Sequence, residues 1–166
     1  NQSFGQLRRL LMAITQAMCT SFKAEIMLAV HDFRPSTDTG ASVFKLALYT
    51  SSASIDANTT AYTATGEVTG TNYTAGGVAV TNGTSPLSTN TSATAGTAYW
   101  TPTASITYTN VTLTTAFDTV LIYNSTQGNR AVSVHTFGSQ TITAGTFTLT
   151  MPSNTTTTAL LRFATT

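Results

Sequence analysis

The groups able to do chemistry gather in one stretch, CTSFKAEIMLAVHDF, from Cys19 to Phe33. It holds the single cysteine, one of two histidines (His31), one of two glutamates (Glu25) and one of four aspartates (Asp32). A thiol and an imidazole in contact would make a nucleophile pair. On one continuous helix, however, Cys19 and His31 stand about 18 Å apart at 1.5 Å per residue. His31 and Asp32 are adjacent and point roughly 100° apart, so they cannot pair with each other. Cys19 therefore reads as a small buried apolar residue. His31 reads as a residue at a helix C-terminus, where partial positive charge suits the dipole. Lys23 and Glu25 are expected to project away from the apolar face. His135 alternates with Val134 and Thr136, which turns it toward solvent or a neighbouring subunit.

Other chemistry lacks its constellation. Two histidines about a hundred residues apart and one cysteine give no metal cluster. Asp32 and Asp38 lack the ligand spacing of a calcium loop. There is no nucleophile elbow, Walker loop or dinucleotide fingerprint, and no cofactor is implied. Glycoside chemistry would have to draw its carboxylates from Asp56, Glu67 and Asp118, with Tyr49, Tyr62, Tyr73, Tyr99 and Trp100 available to stack sugars. Core packing explains such aromatics more simply.

The elements that carry these residues divide near Pro35. Before it, Ser3 and Gln6 fit a capping box. Leu7, Leu10, Leu11, Ile14, Ala17 and Met18 then recur at helical spacing, and Phe22, Ile26, Ala29, Val30 and Phe33 extend the stripe. The pattern predicts an amphipathic helical segment over 1–34, bent or broken near Thr20 and Ser21 and stopped by Pro35. Residues 35–42 read as a turn-rich linker.

From 43 onward the period is two. Phe44, Leu46 and Leu48 alternate along a strand. Val78 and Val80 form a short strand ending at the turn dipeptide Asn82-Gly83. TSPLSTNTSATAGT reads as an exposed loop, and Tyr99 and Trp100 begin the next apolar segment. VLIY, Val120 to Tyr123, suits a central strand, and NSTQGN turns it back into Ala131, Val132, Val134 and Phe137. TAG, Thr143 to Gly145, reads as a second tight turn. ALLRF, Ala159 to Phe163, closes the fold. Short strands with regular turn punctuation predict a mainly β chain. The expected fold is an antiparallel β-sandwich or jelly-roll-like domain over 43–166, preceded by the N-terminal α-helical segment.

Composition narrows the function. Charged residues make up 8% of the 166, and the formal net charge is +1. An ordinary soluble domain carries about 25%. Past Val68 the only charged side chains are Asp118, Arg130 and Arg162. Threonine fills the gap; its branched Cβ suits strands and its hydroxyl keeps a surface wet without charge. So neutral a chain has no electrostatic footprint for nucleic acid. No apolar run reaches the ~18 residues of a membrane span. Surfaces without charge do not hold copies apart, so a homo-oligomer is expected.

Taken in order, CTSFKAEIMLAVHDF, FKLALYTSSASIDANTTAYTATGEVTGTNYTAGG, VLIYNSTQGNRAV and TAGTFTLTMP resemble a family of small virion structural proteins of tailed bacteriophages. The resemblance runs from Cys19 to about Phe163. It implies a structural part of the virion without fixing its place; together with the low charge and the missing catalytic constellation, the expectation is a non-enzymatic capsid decoration or cement protein or a head-fibre protein. Such a protein would self-associate, with a trimer favoured, and dock on major capsid or connector and tail proteins. The docking face expected on the N-terminal helix comprises Leu7, Leu11, Ile14, Met18, Phe22 and Ile26, with Arg8 and Arg9 pairing acidic groups at the rim. The alternative is a tail, collar or fibre component that touches the host receptor through loops such as GTNYTAGG.

Overall fold

The computed structural model describes residues 17–89 and 96–164. Its elements are β1 (Ala17–Met18), α1 (Thr20–Met27), β2 (Phe44–Thr50), β3 (Val78–Ala79), β4 (Leu87–Ser88), β5 (Thr97–Trp100), β6 (Ile106–Asn124), β7 (Arg130–Leu149) and β8 (Leu161–Ala164). They form two antiparallel sheets, one ordered β1-β7-β6-β2-β3 and one ordered β4-β5-β8. The chain is mainly β, as the alternation predicts.

The spine is the hairpin of β6 and β7, closed by the turn through Gly128, with β2 against β6. Leu46 faces Ile122 and Leu48 faces Val120, so the apolar alternation of β2 meets that of VLIY on one face. On the other face Lys45 meets Tyr123 and Ala47 meets Leu121. Both faces of β2 are covered, which is why Ala47 and Tyr49 are as buried as Leu46 and Leu48. The loop over 51–77 covers one side: Tyr49 Oη donates to the Thr63 carbonyl, and Tyr62 stacks on Tyr123 at 4.9 Å. Gly77 closes this loop with φ of +69°, and a β-carbon there would run into the Leu46 carbonyl. Only glycine fits so close a backbone approach.

The other side of the sheet is covered by the α1 segment and by the second sheet. Phe33 stacks on Phe44 with centroids 4.3 Å apart, and Trp100 of β5 meets Phe33 edge-on at 4.8 Å. Cys19, Phe22, Phe33, Phe44, Trp100 and Leu161 therefore belong to one core.

That core corrects the expected organisation. Residues 17–34 pack into the same core as the β-domain and are not a separate helical anchor; residues 35–42 are irregular and turn-rich. Ala17 and Met18, both counted in the helical stripe, are extended and paired with Val134 and Ser133. Cys19 is also extended; its amide donates to Val132, and the Thr20 amide donates to Ala57. Sheet hydrogen bonds at Ala17–Cys19 thus override the helical pattern. At its other end α1 stops after eight residues. Ala29 takes φ of 55°, and the amides of Ala29 and Val30 return to the carbonyls of Ile26 and Glu25. This is a Schellman stop with alanine where glycine is usual. The chain then runs irregularly through Phe33, and the 33–36 stretch is tied to buried Asn82. The Asn82 amide group donates to the Phe33 and Arg34 carbonyls at 2.6 and 2.9 Å, and its carbonyl accepts from Trp100 Nε1 at 3.0 Å.

TAG is not a turn. β7 passes through Thr143–Gly145 without reversing, because β6 runs opposite it along the same length. The left-handed residues Ala144 and Asn110 instead mark irregularities in the pairing, with the Ala144 amide donating to Thr112 Oγ1 at 3.0 Å. The glycine and alanine that suggested a turn serve a bulged strand pair.

Candidate functional site

The expected docking residues are split by the fold. Leu7, Arg8, Arg9, Leu11 and Ile14 lie outside the described residues. Met18 sits half-buried in β1, Phe22 is fully buried in the core, and Ile26 packs half-buried against that core. Phe22 and Ile26 therefore face this chain's own sheets. Thr20, Lys23 and Ala24 of α1 are exposed, and the large apolar residues turned outward are its last one and the one after it. Met27 is 82% exposed and Leu28 is 74% exposed. Next to them in the chain, Ile26 lines an apolar groove with Phe33, Pro86, Trp100, Leu161 and Phe163. Phe163 and Leu87 leave further apolar surface open. Sequence reasoning missed Met27, Leu28, Leu87 and Phe163. Met27 and Leu28 had a signal: they fall off the inward stripe of Phe22 and Ile26 yet are large and apolar.

Glu25, expected to project outward, is instead buried at the centre of a polar cluster. Its Oε2 lies 2.7 Å from His31 Nε2, and its Oε1 accepts from Arg130 Nη1 at 2.6 Å. Asn124 lies on the far side of the imidazole. Its carbonyl oxygen accepts from the Thr126 amide, which leaves its NH2 facing His31 Nδ1 at 3.1 Å. Nδ1 is thus the acceptor, and Nε2 carries the proton given to Glu25. Burial by itself raises the Glu25 pKa, but hydrogen bonds from His31 and Arg130 outweigh it and hold the carboxyl below its usual range. The Schellman stop is what brings His31 back over α1, with its ring 5.0 Å from that of Phe22.

A second buried carboxylate organises the loop over β2. Glu67 accepts from Tyr62 Oη at 2.6 Å, from Tyr73 Oη at 2.8 Å and from the Gly76 amide at 2.8 Å. Burial, with the neighbouring carboxylate next in weight among the raising causes, pushes the Tyr62 hydroxyl up to about 12. The Tyr73 hydroxyl is raised as well, by burial foremost. The remaining carboxylates considered for glycoside chemistry are engaged locally, Asp56 with the Asn58 amide and Asp118 with the Thr119 hydroxyl. Tyr49 and Trp100 are buried, and Tyr99 lines the apolar groove. Cys19 is fully buried, and burial, reinforced by Asp56 and Glu25, pushes its thiol up to about 12. Such a thiol carries almost no thiolate near neutral pH. Among the described residues no three His, Cys, Asp or Glu side chains gather as a metal-holding set. No described helix is long and apolar enough to cross a membrane.

His135 stands apart from these clusters. It lies beside a cleft of about 500 Å³ between β1, β8 and the 152–160 segment, lined also by Met18, Thr97, Pro152 and Arg162. Its Nε2 is 2.9 Å from Ser133 Oγ, and burial lowers its pKa to about 4. The unfolded chain, with a histidine near 6.5, binds this proton more readily. The resulting stability is complete above about pH 6.5 and is lost as pH falls from there toward 4. His135→Gln, which keeps a donor for Ser133, is expected to flatten that part of the pH profile. Urea midpoints measured between pH 7 and pH 4 check it.

A scan against protein-family models finds no matching family, and searches of curated proteins and of solved structures find no match.

Proposed function

We propose that the chain is a non-enzymatic structural component of a tailed-phage virion, a capsid decoration or head-fibre protein that self-associates. One observation carries this reading. The fold turns Met27 and Leu28 outward beside an apolar groove, on a chain almost without charge. Water-exposed apolar side chains of this size, clustered instead of scattered, mark a contact surface. Its occupant is a second copy of this chain. Copies bring few charges to the contact, so pairing incurs little desolvation or like-charge cost. The groove takes in Ile26 of the expected docking face, whereas Phe22 is spent on the chain's own core. Two further features favour a building block. The buried carboxylate Glu25 joins α1 to β7 through Arg130, Glu67 holds the loop over β2 together, and the resemblance to small virion proteins runs through the same stretches. Fractionation of the particles that contain the chain tests the assignment. The chain is expected on the capsids in high copy number; its presence on tails alone would reject decoration.

A further inference from the structure

The dipeptide Asn82-Gly83 reads in sequence as a turn, but it also carries a reactive pair of groups. A backbone amide nitrogen can attack the side-chain carbonyl of the asparagine before it, and the attack is least hindered when that amide belongs to glycine, which has no Cβ. Asn82 is the only asparagine of this chain followed by glycine. In the fold every group that this reaction must move is held. Asn82 is 3% exposed. Its NH2 donates to the Phe33 and Arg34 carbonyls at 2.6 and 2.9 Å, and its side-chain oxygen accepts from Trp100 Nε1 at 3.0 Å. Its backbone is tied on both sides of the residue: the amide donates to Ser36 Oγ at 3.0 Å, and the carbonyl accepts from the Ser36 amide at 2.7 Å. The Gly83 amide donates to Thr103 Oγ1 at 3.0 Å, and that hydroxyl donates onward to the Thr81 carbonyl at 3.0 Å.

We infer that Asn82-Gly83 is a latent deamidation site, silent in the closed fold and released when β5 and the 33–36 segment draw apart, and that its reaction then opposes reclosure. The Gly83 nitrogen gives its proton to solvent and bonds to Asn82 Cγ. The Cγ–Nδ2 bond breaks, and the nitrogen leaves as ammonia. Water then opens the cyclic imide at either carbonyl, leaving aspartate or isoaspartate. No oxidant or reductant is needed. In the aspartate product an oxygen stands where the NH2 stood. The Phe33 and Arg34 carbonyls lose their donor and face a carboxylate in a closed site, which is unfavourable for both. Isoaspartate lengthens the main chain by a carbon atom and displaces the Ser36 and Thr103 pairings. Asn82 joins β5 to the segment that follows α1, so either product loosens the second sheet from the first. This inference does not depend on which particle contains the chain.

The test incubates the unmodified full chain in mildly alkaline buffer, folded and in urea, and follows replacement of NH2 by OH at Asn82 by peptide mass spectrometry. The folded chain is expected to react at least about 100-fold more slowly, because reaction must await opening. Equal rates overturn the proposal. Asn82→Asp makes one product directly. It is expected to unfold at lower urea and to shift Trp100 emission toward that of a water-exposed indole. The loss is expected to shrink in acid, where a protonated carboxyl can again donate to a carbonyl. An Asn82→Asp chain as stable as the parent at neutral pH, or a loss unchanged in acid, overturns the claim that the product opposes reclosure. Self-association is measured separately, by mass, so the two readings fail independently.

Discussion

Phe44→Ala is expected to lower the unfolding free energy by about 4 kcal/mol, within the range for deleting a buried phenylalanine. Phe44 is almost fully buried and joins three parts of the chain. It stacks on Phe33 from the segment after α1, lies 5.8 Å from Trp100 of the second sheet, and pairs through β2 with Asn124 of β6. The cavity therefore opens where the α1 segment, the first sheet and the second sheet meet. Urea unfolding followed by Trp100 fluorescence measures the loss. Hydrogen exchange across 19–33 then separates two organisations. If the α1 segment belongs to the core, its amides lose protection together with β2 and β6. An independent anchor would keep its protection unchanged.

Glu25→Ala is expected to cost about 3 kcal/mol, at the low end for breaking a buried ion pair because Arg130 is half-exposed. Removing the carboxylate leaves His31 Nε2 without an acceptor in a closed site, its other nitrogen still facing Asn124. Glu25→Gln retains an acceptor and is expected to cost distinctly less. The pH dependence has a definite sign. The folded-state pKa of Glu25 is lowered, so its contribution is present above the unfolded carboxyl range near 4.5 and is lost as pH falls through the folded value. Denaturation midpoints of the parent and Glu25→Gln chains are thus expected to converge as pH falls below the unfolded carboxyl range and through the lowered folded value. A constant gap down to pH 2 would show that Glu25 contributes by shape and not by charge.

Much of this fold was legible because local pattern and tertiary demand agree. Phe44, Leu46 and Leu48 alternate as a strand and are one; VLIY is apolar throughout and lies mid-sheet with both faces covered. The turn at NSTQGN joins β6 to β7 as read. The failures share a physical cause, which is that long-range hydrogen bonds outrank local propensity. Ala17 and Met18 fit a helix, but β7 takes their backbone. Glu25 is charged and reads as exposed, yet Arg130 arrives from 105 positions away to meet it. Asn82 reads as a turn residue, and its side chain instead ties the 33–34 backbone to Trp100. Thr143–Gly145 has turn composition but lies within a long strand pair. The candidate contact surface was half legible: the N-terminal region was recognised as apolar on one side, but which side chains faced outward depended on the short α1 and its early stop.

Mass in dilute solution, by sedimentation or light scattering, tests self-association most directly. The full chain is expected to run as an oligomer, and the pair Met27→Asp with Leu28→Asp to run as a folded single chain of 17.4 kDa. A parent chain that is already monomeric at micromolar concentration, or a double variant that still associates, would contradict the account.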